Sequence, residues 1–362
     1  MPSTPPFIRL LPGLLAATAL LAMQPLRAVS DPGFKVETLA DGVYAAIRTN
    51  PPGLMVDANS LFIVNEADVV VVDAPEASAE MIAALRKITP KPVTYLINTH
   101  WHDDHVIGNA VWRKAYPGIH FIAHASLRDY LPGTGTKNRE GMIKGAPEFA
   151  GQMQAQMDQG RNLQDQPISD EERISYSSDI RLVKHYMEVV PGTPNVLPDI
   201  AVDEGLTLIR GTRRIEIRHL GNGHTKADLV VWLPAERIAA TGDLVVWPVP
   251  LVGNDQSHVR DWPATLDALL KLEPAVFVPG HGPVLRNADY PRQMRDLFAS
   301  INDQVAASVA KGASLEDTRK AVDLAAFRDK FAGDSKVRRF AFGMYVTGPA
   351  VESAYRDAKA TP

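Results

Sequence analysis

Thr99-His100-Trp101-His102-Asp103-Asp104-His105 stands directly after the apolar run Val93–Asn98 and packs three imidazoles and two carboxylates into seven residues. Alternate histidines in an extended or turning segment point the same way, and the turn that follows aims Asp104 and His105 at a neighbouring point. One ion cannot use His100, His102, Asp104 and His105 comfortably. The array predicts two metals roughly 3.5–4 Å apart, completed by ligands from elsewhere in the chain.

Three further stretches offer those ligands. His224 lies in Gly221-Asn222-Gly223-His224-Thr225, His281 in Pro279-Gly280-His281-Gly282-Pro283, and Asp243 in Thr241-Gly242-Asp243. Each is expected in a glycine-bearing loop following an apolar strand, where glycine lets the backbone approach a site and turn sharply. A lone histidine in such a loop is most often solvated or capping. Three such loops, each with a metal-competent side chain, make coincidence a poor explanation.

Outward from these motifs the pattern is α/β. Lys35–Leu39, Val43–Arg48, Ser60–Val64 and Asp68–Val72 read as an antiparallel meander, punctuated by Asp41-Gly42, Pro51-Pro52-Gly53 and Asn65-Glu66. The continuous apolar run Val69–Val72 suits a strand buried on both faces, followed by a helix at Ser78–Lys87 and a strand at Val93–Asn98. Residues 131–198 lose the strand signal and read as a helical insertion, with helices at Met142–Met157 and Asp170–Val189. Strands resume at Ile200–Val202, Leu206–Leu208, Arg214–His219, Ala227–Leu233, Arg237–Ala240 and Ala275–Pro279, with a helix at Pro263–Lys271, as if the second half repeated the first. From residue 290 the chain reads as a helical extension, with helices at Gln293–Lys311, Leu315–Phe327, Lys336–Met344 and Ala350–Lys359. The domain organisation expected is a leader at 1–30, a catalytic domain at 31–289 and the extension at 290–362.

Composition narrows the chemistry. The 362 residues are 45% hydrophobic and 22% charged, an ordinary globular balance. Thirty-eight Lys plus Arg against 42 Asp plus Glu leave a charge of −4, which supplies no basic excess for a nucleic-acid partner. With no cysteine, thiol nucleophiles, iron–sulfur clusters and thiolate zinc sites are excluded, so any metal must sit on His, Asp or Glu. Arg9, the apolar stretch Leu10 to Met23 and the small residues Ala28-Val29-Ser30 resemble an export signal, cleaved after Ser30 or Ala28. The stretch is shorter than the roughly 20 apolar residues a membrane span needs, so the expectation is a periplasmic protein without stable membrane insertion.

Asp73, the array His100–His105, His224, Asp243 and His281 occur in the order of the five motifs of the metallo-β-lactamase superfamily, which the chain resembles over about Phe34 to Leu285 apart from the insertion. The resemblance implies a four-layer αββα sandwich of two similar βα halves, with the metals at one edge of the seam. It implies that His100, His102 and His224 bind a first metal, that Asp104, His105 and His281 bind a second, and that Asp243 bridges both, as in the family's glyoxalase and lactonase branches. Imidazole and carboxylate donors suit iron or manganese as well as zinc. His102 stands where the family's di-iron branch has a glutamate, which favours two zinc ions per chain.

The expected activity is a zinc-dependent hydrolysis of a small-molecule cyclic amide or ester, most specifically a β-lactam, by a hydroxide shared between the metals. Asp104 is the catalytic residue that would orient that hydroxide and pass a proton to the leaving atom. Asn254, in Val252-Gly253-Asn254, resembles the residue that helps polarise the carbonyl in the cysteine-bearing metallo-β-lactamases. Two departures from that subclass stand out: Asp243 replaces its cysteine and Val246 replaces the lysine that clamps the drug's carboxylate, leaving Lys226 and Arg260 as candidates. Lactones, thioesters, phosphoesters and alkyl sulfates are the alternative substrates, and a non-catalytic zinc protein is the remaining reading. Asp73 and Thr99 are expected either to hold the ligand loops or, for Asp73, to cap the following turn.

Overall fold

Val69–Val72 puts four β-branched residues in a row, and the two-residue period of a strand sends Val70 and Val72 to one face and Val69 and Val71 to the other. Both faces are covered. In the computed structural model, which describes residues 33–253 and 256–360, Val70 and Val72 pack in a core between two sheets, while Val69 and Val71 pack under helices.

The first sheet starts with the meander β1 (Phe34–Ala40), β2 (Val43–Arg48), β3 (Ser60–Val64) and β4 (Val69–Val72), all antiparallel. Helix α1 (Ser78–Ile88) crosses to β5 (Val93–Ile97), which pairs parallel with β4. The short helices α2 (Asp103–Val106) and α3 (Asn109–Ala115) lead to β6 (His120–His124), also parallel. Met81 and Leu85 of α1 and Trp112 of α3 close the outer core over this sheet.

The chain then turns through α4 (Leu127–Tyr130) into α5 (Thr136–Asp158) and α6 (Asp170–Val189). Helix α5 begins six residues before the expected Met142 and runs through Gly141, Gly145, Pro147 and Gly151. Packing overrides propensity there: Ala146, Ala150 and Met153 bury against Tyr176 and Val183 of α6. A capping box starts α6, with Ser169 Oγ accepting from the Glu172 N–H and the Glu172 carboxylate accepting from the Ser169 N–H.

Strand β7 (Ile200–Val202) corrects the expected division of the chain. It opens no second half but pairs parallel with β6 and ends the seven-stranded first sheet. The second sheet has five strands: β8 (Gly205–Arg210), β9 (Arg213–His219), β10 (Leu229–Leu233), β11 (Ile238–Val246) and, after α7 (Trp262–Leu270), β12 (Val276–His281). Its inner face meets the first sheet through Ile217, Val231 and Val278. Its outer face packs Trp232, Ala239 and Phe277 against α7 and α8 (Asp289–Ala310). Helix, sheet, sheet and helix stack as an αββα sandwich.

The remaining helices, α9 (Leu315–Ala321), α10 (Ala325–Ala332), α11 (Lys336–Phe342) and α12 (Gly348–Ala360), lie beyond α8, and several add Phe331, Phe342, Val351 and Ala354 to its core. The single helix expected at Leu315–Phe327 is two. Val322 is extended, the Asp323 N–H donates to the Gln304 side chain, and Asp323 Oδ1 caps the Ala325 N–H, which together break the run.

Candidate metal centre

The seven predicted ligands come together at the carboxyl ends of β5, β11 and β12 and the loop between β9 and β10. His100, His105, His224, Asp243 and His281 are buried, and His102 and Asp104 half-buried. Two of them sit differently from expectation. Asp243 and His281 are not in loops after strands but within β11 and at the last position of β12. The strands run on because the β11–β12 register shifts between Ala240 and Gly242 and again before Val246. Gly242 has φ +50°, and at Gly280 a Cβ would fall 1.9 Å from Asp243 Oδ1, so only glycine lets the two strands carry these side chains side by side.

The ligand atoms form two groups: His100, His102, His224 and Asp243 in one, and Asp104, His105 and His281 in the other. Asp243 joins them. Its Oδ2 is 3.4 Å from His224 Nε2 and 3.9 Å from His100 Nε2, while its Oδ1 is 3.2 Å from His105 Nε2 and 3.3 Å from His281 Nε2. Asp104 Oδ2 lies 3.1 Å from His281 Nε2 and 3.6 Å from His105 Nε2.

Four rings are fixed through Nδ1. His105 donates to Asp73 Oδ2 at 2.7 Å, His224 to the Leu251 carbonyl at 2.9 Å, and His281 to the Asp57 carbonyl at 3.1 Å. His100 Nδ1 is 3.1 Å from Thr99 Oγ1, which itself donates to Asp73 Oδ2 at 2.8 Å. Each ring therefore turns its Nε2 inward. His102 instead turns Nδ1 inward, 2.9 Å from His224 Nε2. Asp73, at φ 60° and accepting also from the Thr99 N–H at 2.7 Å, holds the ligand turn and does not simply cap a turn.

Charge is divided across the cluster. Burial, reinforced by His224, pushes His102 down to about 3, and burial lowers His100 and His224 as well. Burial acts the same way on His281, but Asp243 and Asp104 outweigh it and hold that ring up to about 10; Asp73 and Asp243 likewise raise His105. The buried carboxylates call for positive charge at this point. His100 Nε2, His105 Nε2, His281 Nε2 and Asp243 Oδ1 are buried without a hydrogen-bond partner. Converging donors left unpaired, on neutral-capable imidazoles and carboxylates, fit a pair of divalent cations.

Several residues of the site carried no sequence signal. Asp103, beside the ligands, receives Arg139 Nε at 2.9 Å and Nη2 at 2.7 Å from α5, and the Tyr186 hydroxyl at 3.0 Å from α6. Asp179 of α6 accepts from the Leu54 N–H at 2.9 Å and the Met55 N–H at 3.2 Å. The Tyr345 hydroxyl, after α11, donates to the Leu54 carbonyl. Glu76 is buried near Asp57, and burial followed by that neighbour holds its carboxyl well above the usual range. Asp103, Arg139, Tyr186, Tyr345 and Glu76 line a cavity of about 320 Å³ that reaches His102 and Asp104.

Asn254 lies outside the described residues, although Gly253 passes beside the site, where a Cβ would come 3.8 Å from His102 Cε1. Lys226 and Arg260 are exposed and line no part of the cavity. His124 holds Ser126 Oγ at 2.7 Å and lies tilted against His219, with ring centroids 4.7 Å apart, and belongs to neither ligand group. The leader expected at 1–30 also lies outside the described residues, and among those described no helix is long and apolar enough to cross a membrane.

The chain is similar to known proteins. The linear primary-alkylsulfatase of Pseudomonas sp. (strain ATCC 19151) is 24% identical over 269 residues, 70% of this chain and 48% of that protein, so the chain spans about half the length of this relative. The metallo-beta-lactamase type 2 of Bacteroides fragilis is 23% identical over 278 residues, 74% of this chain and 86% of that protein. Among solved structures, a metallo-beta-lactamase from Pontibacter korlensis shares the fold with a TM-score of 0.52 at 16% identity, over 74% of this chain and 99% of its own. The family described as the metallo-beta-lactamase superfamily matches residues 55–281, and the chain belongs to that superfamily.

Proposed function

We propose that the chain is an exported dinuclear zinc hydrolase of a cyclic amide or ester, with β-lactams in its range. The observation that carries this reading is the division of Asp243, one oxygen toward each group of ligand atoms. His100, His102 and His224 would hold one ion, Asp104, His105 and His281 the other, and Asp243 both. Two zinc ions so held would polarise the scissile carbonyl and acidify water at neutral pH.

The chain's own residues do the rest. The Nδ1 tethers keep the rings oriented through the reaction, so little reorganisation accompanies it. Asp104 bounds the cavity and is 18% exposed at its side chain, against 3% for Asp243. It is the carboxylate placed to accept a hydrogen bond from the attacking water and to pass that proton to the leaving atom. Asn254 would donate to the substrate carbonyl from the loop beside Gly253. Export rests on the apolar segment after Arg9.

A hydrolysis panel of penicillin, carbapenem, lactone, thioester and alkyl sulfate on zinc-loaded protein, with a chelated control, tests this reading. Turnover of a β-lactam or lactone that chelation abolishes is expected; a panel inert to both would remove the assignment. The apolar cavity beside His102 favours one second reading, hydrolysis of an alkyl sulfate, which the panel also reads.

A further inference from the structure

Strands β1, β7, β8 and β12 end the two sheets, and all but β8 carry a feature that discourages further pairing. β1 has the exposed Lys35 and a register break between Thr38 and Ala40, and β7 is three residues long. β12 carries Pro279 and is covered by Leu285, whose carbonyl accepts the Phe277 N–H at 2.8 Å. β8 reads Gly205-Leu206-Thr207-Leu208-Ile209-Arg210, without lysine or proline, and its register with β9 is unbroken.

The outer edge of β8 is open. The His219 N–H donates to the Glu204 carbonyl at 2.8 Å, so Glu204 and, by strand alternation, Leu206, Leu208 and Arg210 turn their backbone groups toward β9. Gly205, Thr207 and Ile209 turn theirs away, and among the described residues no strand lies on that side. The side chains of Thr207 and Ile209 stand on the outer face, opposite Glu216 and Arg214, because Ile215 and Ile217 fill the inner one. Ile209 is 61% exposed, and Gly205 lines an open depression beside Arg214, Glu216 and Arg218.

Knob and notch therefore sit at equal distances on either side of Thr207. A two-fold axis through Thr207 would set β8 antiparallel to β8 of a second copy, with Thr207 opposite Thr207 and each Ile209 opposite the other copy's Gly205. Residues paired in this way share a face, so each Ile209 would cover a glycine that offers no side chain of its own. The same register places Glu204 of each copy opposite Arg210 of the other. Arg210 gives Nη2 to Asp68 and stays 29% exposed at its side chain, open to a second carboxylate. Moving the axis to Leu206 or Leu208 keeps the backbone ladder but loses both matches.

We infer that the protein forms a two-fold dimer through β8, joining the second sheets of two copies into one continuous sheet. A six-residue ladder is a small contact, so the dimer is reversible and concentration-dependent.

Sedimentation velocity of the full chain over a range of concentrations reads the assembly directly, and a monomer–dimer equilibrium is expected. Ile209→Lys, at an exposed position, and Glu204→Arg, which sets like charge against Arg210, should each weaken it about tenfold or more with circular dichroism unchanged. The chain has no cysteine, which makes Thr207→Cys a gauge of register. Residues paired as the two Thr207 would be lie about 5.5 Å apart at Cα, within disulfide reach, so oxidation with dithiodipyridine should give a covalent dimer. Ile209→Cys alone should give none, because the two Ile209 positions would lie about 14 Å apart. A chain that is monomeric at every concentration, a dimer that Ile209→Lys and Glu204→Arg both leave intact, or one cross-linked through Ile209→Cys and not through Thr207→Cys would each overturn the assignment.

Discussion

Asp73 Oδ2 lies 2.7 Å from Nδ1 of His105, and the same carboxylate accepts the Thr99 N–H and hydroxyl, so one buried acid sets both the ring and the turn that carries it. Asp73→Ala is expected to lower affinity for the second metal about 10- to 100-fold. A competitive zinc titration showing parent affinity at both sites would contradict this role.

His281→Ala removes a donor from one group of ligand atoms and leaves His100, His102, His224 and Asp243 intact. Elemental analysis should fall from two zinc ions per chain to one. Loss of both, or of neither, would argue against separate sites joined at Asp243.

The residues that gather at the candidate centre were legible because each motif is local: the array is continuous, and His224, Asp243 and His281 each neighbour glycine. What escaped was long-range. Arg139 and Tyr186 reach Asp103 across 36 and 83 residues, and Asp179 reaches Leu54 across 125, separations that leave no periodicity to read. The strand extensions through Asp243 and His281 were hidden for a related reason. Glycine reads as a turn in isolation, whereas Gly242 and Gly280 here allow close approach between paired strands. Ile200–Val202 was read as the start of a second half because its partner, β6, lies on the far side of the helical insertion.

Arg139→Met strips Asp103 of its bidentate partner while the carboxylate stays 15% exposed at its side chain. Losing one member of a buried pair costs roughly 3–5 kcal/mol, and the remaining Tyr186 hydroxyl places this case at the low end. Denaturant unfolding should show it; Arg139→Lys should recover only part, since a lysine cannot make the two-pronged contact. An unchanged midpoint in Arg139→Met would refute the clamp.

Asp179 titrates in an informative range. Burial, only partly offset by the Leu54 and Met55 N–H groups, raises its carboxyl to about 6 in the folded state, against 3.8 for the ordinary group. Folded protein therefore binds more protons than the unfolded chain between those values. This residue's contribution makes stability fall as pH rises from about 4 to about 6, by no more than roughly 3 kcal/mol. Asp179→Asn should flatten that part of the stability profile. A variant profile parallel to the parent's would assign the slope to other groups.

Asn254→Ala should lower kcat more than it raises KM if the amide meets charge that develops only in the transition state. A pure KM effect would instead make Asn254 a ground-state contact.

The β2–β3 loop is held from outside the sandwich on both sides. Asp179 of the insertion fixes the Leu54 and Met55 N–H groups, Tyr345 of the extension fixes the Leu54 carbonyl, and a few residues on, the Asp57 carbonyl orients His281. The two helical appendages are therefore not interchangeable ornaments on a common scaffold. A chimaera that exchanged either one with a relative's would move the backbone from which His281 takes its aim, so retuned selectivity and weakened zinc retention would arrive together. Libraries that vary the apolar wall should hold Asp179 and Tyr345 constant.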